Sequence, residues 1–423
     1  MRRAVLFLCL LVALQCVPAW AEPVTITFWH IWGGDRLPLV DYVIEEFERL
    51  HPDIKVEHQL LTAGERYQKI LLGAASETTA DVVMVGAESI ELGRLGALIP
   101  LNEFIEREGL QLDEIFYPFI IPLIEDRGSI YYLPQLGGPQ NNLLYYNKTM
   151  FEEVGLDSRR APETWRELED YARKLMRFDG DRITRMGVDV VGHPYVDGRA
   201  AQVLEWMVNN GALAWDGQEV LFNTPAGVDT LQWMLDFTNE INRTYSSINV
   251  FYSMVGGGNA EESFLTETAA MCLSGPWTYF QAQNRLVDTG IGLRPHNDQE
   301  FRAYAGASWG YGISTASKHK EAAWEFVKFM TMAQEGAGWF TLQQARPSAV
   351  MEFNRDPEYF NMNPYWPVII QGFESAIPLP SAPSETNRVL FDMVTSVIQE
   401  GMDPQSAVTE AHRQLQRLFD EWN

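Results

Sequence analysis

The residues of this sequence that could best perform chemistry are tryptophans at the ends of predicted strands or in loops, accompanied by polar side chains. Trp32, Trp277 and Trp309 hold such positions, where a core role is not required. Sugars present apolar C–H faces that rest on flat rings, and their hydroxyls need carboxylate, amide or guanidinium partners. The polar residues near these tryptophans are Asp35, Arg36, Glu88, Gln140 and Asn141. This combination indicates carbohydrate binding, although a single tryptophan is more often a core residue.

The sequence motifs give little support for a catalytic site. Residues 306–310, Gly-Ala-Ser-Trp-Gly, match the nucleophile elbow of hydrolases, but residues 311–315 alternate like a strand where the elbow requires a helix. The seven histidines show no metal-ligand spacing, and the glycines at 256–258 precede Asn259 and not a Lys-Ser or Lys-Thr pair. We therefore expect no catalytic residue, metal or cofactor. A glycosidase remains an alternative, because its two carboxylates are defined by their distance in space.

Charge and length exclude other classes of protein. The formal net charge is −25, and removal of Arg2 and Arg3 with a leader leaves 30 basic and 57 acidic residues, or −27. Nucleic acids and anionic membranes reward basic surfaces, so neither is an expected partner. A chain of 423 residues is too long for one ordinary core, which favours two domains.

The first 21 residues have the pattern of a signal peptide. Arg2 and Arg3 precede an apolar run at residues 4–14, and Ala19-Trp20-Ala21 fits a cleavage site, so the mature chain should begin near Glu22 in the periplasm. Lipid anchoring through Cys16 is an alternative, but Gln15 occupies a place that normally takes a small residue. After cleavage Cys272 is alone, which excludes an intramolecular disulfide.

The positions of these polar residues follow from alternating strands and helices. Strands are predicted at residues 24–29, 54–56 and 81–85, with helices between them. The loops beyond the first and third strands carry Asp35, Arg36 and Glu88, and such loops hold ligands in parallel α/β sheets. The breaker-rich segment 132–148 predicts a hinge between two α/β lobes, which places Gln140 and Asn141 at the floor of a cleft.

The second half of the chain continues the alternation. Thr164 is predicted to cap one helix, and the pair Asp403-Pro404 to open the last one. Residues 269–277 are predicted to be a buried strand that Gly-Pro interrupts, so that Trp277 is presented at the strand end. Residues 306–315 are predicted as a strand, and a helix should follow Ser317.

Taken together, ordered motifs resemble the extracellular solute-binding proteins of ABC importers, in the carbohydrate-binding group that includes maltose-binding protein and the glycerol-phosphate binders. The similarity covers essentially the whole mature chain. The motifs are Ile-Thr-Phe-Trp-His at 26–30, Ala-Asp-Val-Val at 80–83, Leu-Tyr-Tyr-Asn-Lys at 144–148 followed by Phe-Glu-Glu-Val-Gly-Leu at 151–156, Pro-Glu-Thr-Trp at 162–165, Ala-Met at 270–271 with Gly-Pro-Trp at 275–277, and Ser-Lys-His-Lys-Glu-Ala-Ala-Trp-Glu-Phe at 317–326.

The resemblance implies a two-lobed α/β periplasmic-binding-protein fold with three hinge crossings, near residues 133–140, 308–312 and 344–347. The N-terminal lobe would comprise residues 22–134 and 309–345, and the C-terminal lobe residues 135–308 and 346–423. Hinge closure would bury a small-molecule ligand between the lobes and form the surface that a membrane permease recognises. A monomer is expected.

By position, the resemblance makes Asp35 and Arg36 the polar pair of the first loop and Glu88 the acid after the third strand. Gln140 falls where maltose-binding protein has an acidic sugar ligand, which argues against maltose, and Trp277 falls on its stacking tryptophan. Residues assigned by placement alone are Tyr195, Trp309 and Arg346. The expected ligand is a neutral sugar or small oligosaccharide. A glycerol-phosphate-type ligand, with Arg36 and Arg346 as phosphate partners, is an alternative.

Overall fold

The structure is a computed structural model that describes residues 23–139, 142–192, 196–255, 258–297, 300–306 and 308–423. The α-helices are α1 (Leu37–Leu50), α2 (Ala63–Ala75), α3 (Ser89–Arg94), α4 (Asn102–Glu108), α5 (Leu112–Ile115), α6 (Ile121–Ile124), α7 (Lys148–Glu153), α8 (Trp165–Leu175), α9 (Val196–Val208), α10 (Pro225–Glu240), α11 (Tyr245–Met254), α12 (Ala260–Leu265), α13 (Trp277–Asn284), α14 (Lys320–Met332), α15 (Trp339–Gln343), α16 (Pro357–Met362), α17 (Trp366–Glu374), α18 (Thr386–Ile398) and α19 (Pro404–Trp422). The strands are β1 (Val24–His30), β2 (Ile54–Leu60), β3 (Val82–Val85), β4 (Glu125–Asp126), β5 (Ser129–Ile130), β6 (Leu133–Pro134), β7 (Leu143–Asn147), β8 (Arg177–Asp179), β9 (Arg182–Arg185), β10 (Met271–Ser274), β11 (Thr289–Leu293), β12 (Ala303–Ala305), β13 (Gly310–Ile313) and β14 (Ala376–Pro378).

The larger sheet is mixed, and most of its strands come from the N-terminal part of the chain. In the described residues its strand order is β2-β1-β3-β13-β6. β1 runs parallel to β2 and β3, whereas β13 is antiparallel to β3 and β6. All four residues of β3 are buried, as expected for a strand covered on both faces. The carboxyl ends of β1 and β3 and the beginning of β13 therefore lie at one edge of the sheet.

The smaller sheet lies in the second half of the fold and is antiparallel. β7 pairs with β10 on one side and β11 on the other. β7 is fully buried and leads directly into α7, whose N-cap Asn147 accepts a hydrogen bond from the Met150 backbone N–H. β10 ends at Ser274, and the chain then turns through Gly275-Pro276 into α13.

The hydrophobic residues form separate cores around these sheets. One core surrounds the larger sheet and includes Phe28, Val83 and Trp324. A second core packs α8, α9, α10, α18 and α19 against β7, and a third fills the other face of β7. The first core belongs to one lobe, and the second and third cores, which share β7, belong to the other. In the described residues no helix is both long enough and apolar enough to cross a bilayer.

Three segments near residues 135, 309 and 348, at or next to the predicted hinge crossings, lie side by side. The carbonyl of Trp309 accepts hydrogen bonds from the backbone N–H groups of Gln135 (2.9 Å) and Leu136 (3.1 Å). The N–H of Ala349 in turn donates to the carbonyl of Gln135 (3.0 Å). At Gly137 a Cβ atom would stand 2.8 Å from the Ser348 carbonyl oxygen, so only glycine permits this approach.

A second contact joins the lobes at the end of α19, far along the chain from these segments. The Arg94 guanidinium of α3 covers the Trp422 ring, with Cζ 4.2 Å from the ring centroid, and donates to the Trp422 carbonyl (2.9 Å). Two hydrogen bonds to Asp126, at 2.7 and 2.8 Å, hold this guanidinium in place. The Arg127 side chain donates to the Asn423 carbonyl (2.9 Å). We call these contacts the α19 latch.

Two local predictions are confirmed, and two others differ in part from the structure. Thr164 accepts from the Glu167 N–H at the start of α8, and Asp403 accepts from the Ser406 N–H at the start of α19. The buried strand predicted within residues 269–277 is β10, which ends at Ser274 before Gly275-Pro276, but Trp277 begins α13 and does not lie at a strand end. Among the described residues of the segment 306–315, the strand is limited to β13, which begins after Trp309.

Candidate functional site

A large cavity opens where the carboxyl edge of the larger sheet faces α13. Its volume is about 790 Å³, within the range of small-molecule sites. The loop after β1 forms one wall, α13 forms the opposite wall, and Trp309 and the segment after α15 close the rest. The lining residues are Gly33, Gly34, Asp35, Arg36, Leu39, Trp277, Phe280, Gln281, Asn284, Arg285, Trp309, Gln343, Gln344 and Arg346. We call this space the first cavity.

The first cavity brings together residues from both halves of the sequence that were predicted to bind ligand. They are Asp35, Arg36, Trp277, Trp309 and Arg346. The structure positions them through four different segments: the turn after β1, the start of α13, the residue before β13, and the loop after α15. The cavity therefore combines two indole rings with charged and amide groups.

Three arginines line this cavity, and Arg285 is paired with Glu262 (2.7 Å), so Arg36 and Arg346 form its positive region. Arg346 is buried, and its Cζ lies 5.3 Å from the centroid of the Trp277 ring and 5.7 Å from that of Trp32. Burial, and after it the Arg36 cation, lowers the pKa of Arg346. Burial also lowers the pKa of Arg36, whereas Asp35 acts in the opposite direction. An electron-rich ligand would offset part of this repulsion and desolvation.

Trp277 is anchored at the entrance of α13. It is half-buried, and its side chain lies close to the carboxyl group of Glu261. Burial raises the pKa of Glu261, which also accepts a hydrogen bond from the Thr278 hydroxyl. The Arg346 guanidinium covers the Trp277 ring. A ligand could therefore stack on the other face of this ring.

Trp32 was predicted to contact ligand, but the structure buries it. Only 1% of its surface is exposed. Its indole N–H donates to the Tyr311 hydroxyl (2.9 Å), which donates in turn to the Gln135 side-chain oxygen (2.9 Å). The ring packs against Phe340 and lies beneath the arginines of the first cavity. In this structure Trp32 supports the cavity from below.

Glu88 lies outside the first cavity, in a neighbouring space of about 390 Å³. It forms an ion pair with Arg66 of α2. The Arg66 guanidinium stacks on Trp309, with Cζ 4.3 Å from the ring centroid. Trp309 therefore lines the first cavity and contacts Arg66 of this neighbouring space, which we call the second cavity.

The remaining predicted site residues are Gln140, Asn141 and Tyr195, and they lie outside the described residues. The adjacent Asn142 is buried, and its carbonyl accepts a hydrogen bond from the Arg294 N–H (2.8 Å). The predictions for these three positions stay predictions.

Sequence reasoning missed the polar face of α13 and the second-cavity arginine. Gln281 and Asn284 follow Trp277 at spacings of four and seven residues, which places all three on one side of a helix. That spacing indicates a helix, but it begins at the end of the segment 269–277, which the sequence predicts to be a strand. Arg66 had no comparable signal, because a single arginine in an amphipathic helix is usually a solvent-exposed residue.

The carboxylates of the first cavity, Ser308 and the possible metal ligands are the groups that could support catalysis. Asp35 is the one carboxylate among the described residues that line the first cavity, whereas a glycosidase needs two. Ser308 is followed by β13, and the next helix in the described chain begins at Lys320. Within the described ranges, no group of three or more His, Cys, Asp or Glu side chains could hold a metal ion.

Comparison with known proteins gives a consistent family. Residues 34–337 match the family described as bacterial extracellular solute-binding protein. The sn-glycerol-3-phosphate-binding periplasmic protein UgpB of Pectobacterium atrosepticum is 24% identical over 400 residues, which cover 87% of this chain and 84% of that protein. UgpB of Escherichia coli K12 is 31% identical over 158 residues, covering 36% of this chain and 35% of that protein.

Solved structures share the fold at lower identity. An ABC transporter solute-binding protein of Thermotoga lettingae, bound to α-D-tagatose, has a TM-score of 0.78 at 22% identity and covers 94% of this chain and 100% of its own. The GacH receptor of Streptomyces glaucescens, solved unliganded and with acarbose, has a TM-score of 0.79 at 17% identity, covering 95% of this chain and 100% of its own. These matches extend over both lobes.

Proposed function

Because the chain belongs to the bacterial extracellular solute-binding proteins, we propose that it captures a neutral sugar or small oligosaccharide and delivers it to the permease of an ABC importer. The observation that carries this proposal is the first cavity, in which Trp277 and Trp309 stand beside polar side chains on opposite walls. Indole rings fit the C–H faces of a sugar, and the amides and charges fit its hydroxyls. Ligands named for structural neighbours, such as tagatose, mannotriose and maltose, are of this class.

The proposed ligand contacts are the five predicted residues that line the first cavity, together with Gln281 and Asn284 of α13. Both walls would approach the ligand when the lobes turn about the three crossing segments. Small-angle scattering should then show a smaller radius of gyration with the ligand than without it. An unchanged radius at saturation would contradict closure.

A thermal-shift screen tests the ligand class. Ligands that bind only the native state raise its stability, so neutral sugars of one to four units should raise the melting temperature in a concentration-dependent way. Glycerol and other small polyols serve as controls for non-specific stabilisation. If no neutral sugar shifts the melting temperature, the proposed ligand class is wrong.

A phosphorylated polyol is the second candidate, and a specific observation favours it. Arg36 and Arg346 both line the first cavity, and guanidinium groups bind phosphate through charge-assisted hydrogen bonds. The UgpB relatives are named for binding sn-glycerol 3-phosphate. The same screen should include glycerol 3-phosphate with glycerol as its uncharged control. A shift with the phosphate alone would select this candidate over a neutral sugar.

The family consists of binding proteins, and we propose that this chain does not transform its ligand. Incubation of the purified protein with an oligosaccharide panel should return every sugar unchanged from a stoichiometric complex. Release of shorter sugars or reducing ends, in proportion to protein concentration, would establish a glycosidase instead.

We further propose a monomeric periplasmic protein whose signal peptide is cleaved near Ala21. The leader lies outside the described residues, so the support is the sequence pattern and the extracellular character of the family. Intact-mass analysis of the exported protein should give an unlipidated chain that starts at or near Glu22. A lipidated chain beginning at Cys16 would overturn this proposal, and sedimentation analysis would test the monomer.

A further inference from the structure

A chain of side-chain contacts runs from the protein surface to the residue beneath the first cavity. His30 ends β1, and its Nδ1 accepts a hydrogen bond from the Trp32 backbone N–H (3.1 Å). On the other side of the ring, Nε2 of His30 lies 2.9 Å from Nδ1 of His58 in β2. Nε2 of His58 in turn lies 3.1 Å from a carboxylate oxygen of Asp41 in α1. We call the three side chains of His30, His58 and Asp41 the histidine chain.

The contacts of the histidine chain fix the positions of its ring protons. Because Nδ1 of His30 accepts from a backbone N–H, the proton of the neutral His30 ring stands on Nε2. This Nε2–H donates to Nδ1 of His58, so the proton of a neutral His58 stands on its own Nε2 and faces Asp41. Two ring protons therefore satisfy every contact in the chain.

A third proton breaks one contact of the histidine chain wherever it is bound. On Nδ1 of His58 it would face the Nε2–H of His30, and on Nδ1 of His30 it would face the Trp32 backbone N–H. Burial, and after it the neighbouring His58, lowers the pKa of His30 to about 4. His30 is fully buried, whereas 26% of the His58 side chain is exposed. The third proton therefore belongs on His58.

The strength of the contacts decides which hydrogen bond is then lost. A neutral imidazole has one acceptor nitrogen, so His30 can accept from a charged His58 or from the Trp32 backbone, but not from both. Hydrogen bonds from a charged donor are roughly twice as strong as neutral ones, so His30 should present its acceptor to His58. The neutral His30 then carries its proton on Nδ1, and the Trp32 N–H loses its partner.

Charged groups lie beside the histidine chain on α1, on β2 and beyond Trp32. Asp41 of α1 contacts His58 and attracts it when it is charged. Glu48, two turns later on α1, pairs with Lys55 of β2 (2.6 Å). Glu57 belongs to the opposite face of β2, since neighbouring residues of a strand alternate. Beyond Trp32 stand the two arginines of the first cavity.

Trp32 connects the histidine chain to these arginines. Its ring lies beneath both guanidinium groups, with Cζ of Arg36 5.2 Å and Cζ of Arg346 5.7 Å from its centroid. The indole N–H donates to Tyr311 at the other end of the side chain (2.9 Å). If the backbone N–H is released, the loop that carries Asp35 and Arg36 can therefore move while the indole stays anchored.

We propose that His30 and His58 are positioning residues for the first cavity: they hold Trp32 in place while the histidine chain carries two ring protons, and they release it when a third proton binds. The bound ligand requires the two-proton state, so affinity should fall as the pH falls through the range in which histidines gain charge. The loss is that of one neutral hydrogen bond, or about 2- to 12-fold between pH 8 and pH 5. This effect on affinity rests on the proposed function, whereas the positions of the protons do not.

The histidine chain is tested first in the ligand-free protein. Nitrogen-15 NMR of histidine-labelled protein reports which ring nitrogen carries a proton. At pH 8, His30 and His58 should each carry one proton, on Nε2. At pH 5, His58 should carry two protons and His30 one proton on Nδ1. The Trp32 backbone amide should then lose its protection from hydrogen exchange, measured relative to the intrinsic rate at each pH.

Two variants and a control test the effect on binding. His58→Asn keeps an acceptor oxygen near the position of Nδ1 but cannot gain a charge, so its affinity should match wild type at pH 8 and stay level down to pH 5. Asp41→Asn removes the charge that attracts protonated His58, so the fall should begin at lower pH. His51→Asn is the control, because His51 is also half-buried in this lobe, stacks on Phe47 and lies outside the first cavity. Its pH profile should match that of wild type.

Each protein is titrated by calorimetry with tagatose, maltose and mannotriose, the sugars named for structural neighbours. None of these sugars titrates between pH 5 and pH 8, so a change in affinity comes from the protein. Groups elsewhere in the protein that titrate in this range, such as Glu205, are present in all four proteins. A difference between His58→Asn and wild type therefore belongs to the histidine chain.

The possible outcomes separate this inference from the proposed function. If His30 carries its proton on Nδ1 at pH 8, or if the Trp32 amide keeps its protection at pH 5, the inference is wrong. If the sugars bind equally at pH 8 and pH 5, or if His58→Asn shows the same fall as wild type, the inference is also wrong and the proposed function stands. If wild type binds no sugar at pH 8, the proposed ligand class loses its support, and the NMR result still decides whether His30 and His58 position Trp32.

Discussion

Replacement of Trp277 by alanine tests the first cavity most directly. The Arg346 guanidinium covers one face of the Trp277 ring, so one face remains for a ligand. An aromatic side chain buries about 150–250 Å², and a quarter to a half of that area is roughly 40–125 Å². At about 25 cal/mol per Å², the lost contact is worth about 1 to 3 kcal/mol. Trp277→Ala should therefore raise the Kd about 5- to 160-fold.

Calorimetry with the ligand found by the thermal-shift screen measures this loss, and thermal unfolding of the ligand-free variant measures the cost to the fold. Trp277 is half-buried, so the loss in unfolding free energy should stay below the about 3 to 5 kcal/mol typical of a fully buried ring. Trp277→Phe, which keeps an aromatic face, should recover most of the affinity.

Trp233 provides a matched control in the C-terminal lobe. It is also half-buried, and its indole N–H donates to the Glu169 carboxylate (2.7 Å). Trp233→Ala should lower the melting temperature without changing the Kd. The reasoning is refuted if Trp277→Ala binds like wild type but melts far earlier, because Trp277 would then be a structural residue.

Three further predictions concern charge, motion and pH. Arg346→Gln should weaken binding of a phosphorylated polyol by about 10- to 150-fold, since charge-assisted hydrogen bonds are worth about 1.5–3 kcal/mol. Calorimetry should show a smaller loss of affinity for neutral sugars. Equal losses for both ligands would contradict a phosphate role for Arg346. Arg94→Ala removes the contact with Trp422 in the α19 latch. The ligand-free variant should therefore have a larger radius of gyration by small-angle scattering, and its ligand affinity should be roughly 2- to 10-fold lower. An unchanged radius would show that the latch does not hold the lobes. Burial raises the pKa of Glu205 from 4.5 to about 7, although Arg294 opposes the shift. The unfolded chain therefore releases this proton at lower pH than the folded protein, so the unfolding free energy should fall by up to about 3 kcal/mol as pH rises from 4.5 to 7. In urea titrations at pH 5 and pH 8, Glu205→Gln should remove that part of the fall. An unchanged pH dependence in this variant would refute the raised pKa of Glu205.

The part of the site that the sequence predicted follows from strand order. Asp35 and Arg36 come directly after β1 and Glu88 after β3, and parallel neighbours bring such loops to one edge. The family resemblance supplied Trp277 and Arg346, which also line the first cavity. The lobe boundaries stay a prediction.

The part that could not be predicted depends on contacts between distant residues. Trp32 is a loop residue by sequence, yet it is buried because Tyr311, 279 positions later, accepts its indole N–H. The second cavity joins Arg66 to the loop at 379–384 and to Trp422, which no periodicity links. Side-chain pairings across such separations depend on how the lobes pack, and a single sequence does not encode that packing in any local pattern.

Trp309 occupies two roles that are normally held by different residues. Its ring lines the first cavity and contacts Arg66 of the second cavity, and its carbonyl accepts hydrogen bonds from the backbone N–H groups of Gln135 and Leu136. A ligand that displaces the ring must also strain the backbone about which the lobes turn. Ligands of different shape should therefore set different angles between the lobes. The transporter could then reject a complex in which the ligand is tightly bound but the two lobes present a surface at the wrong angle.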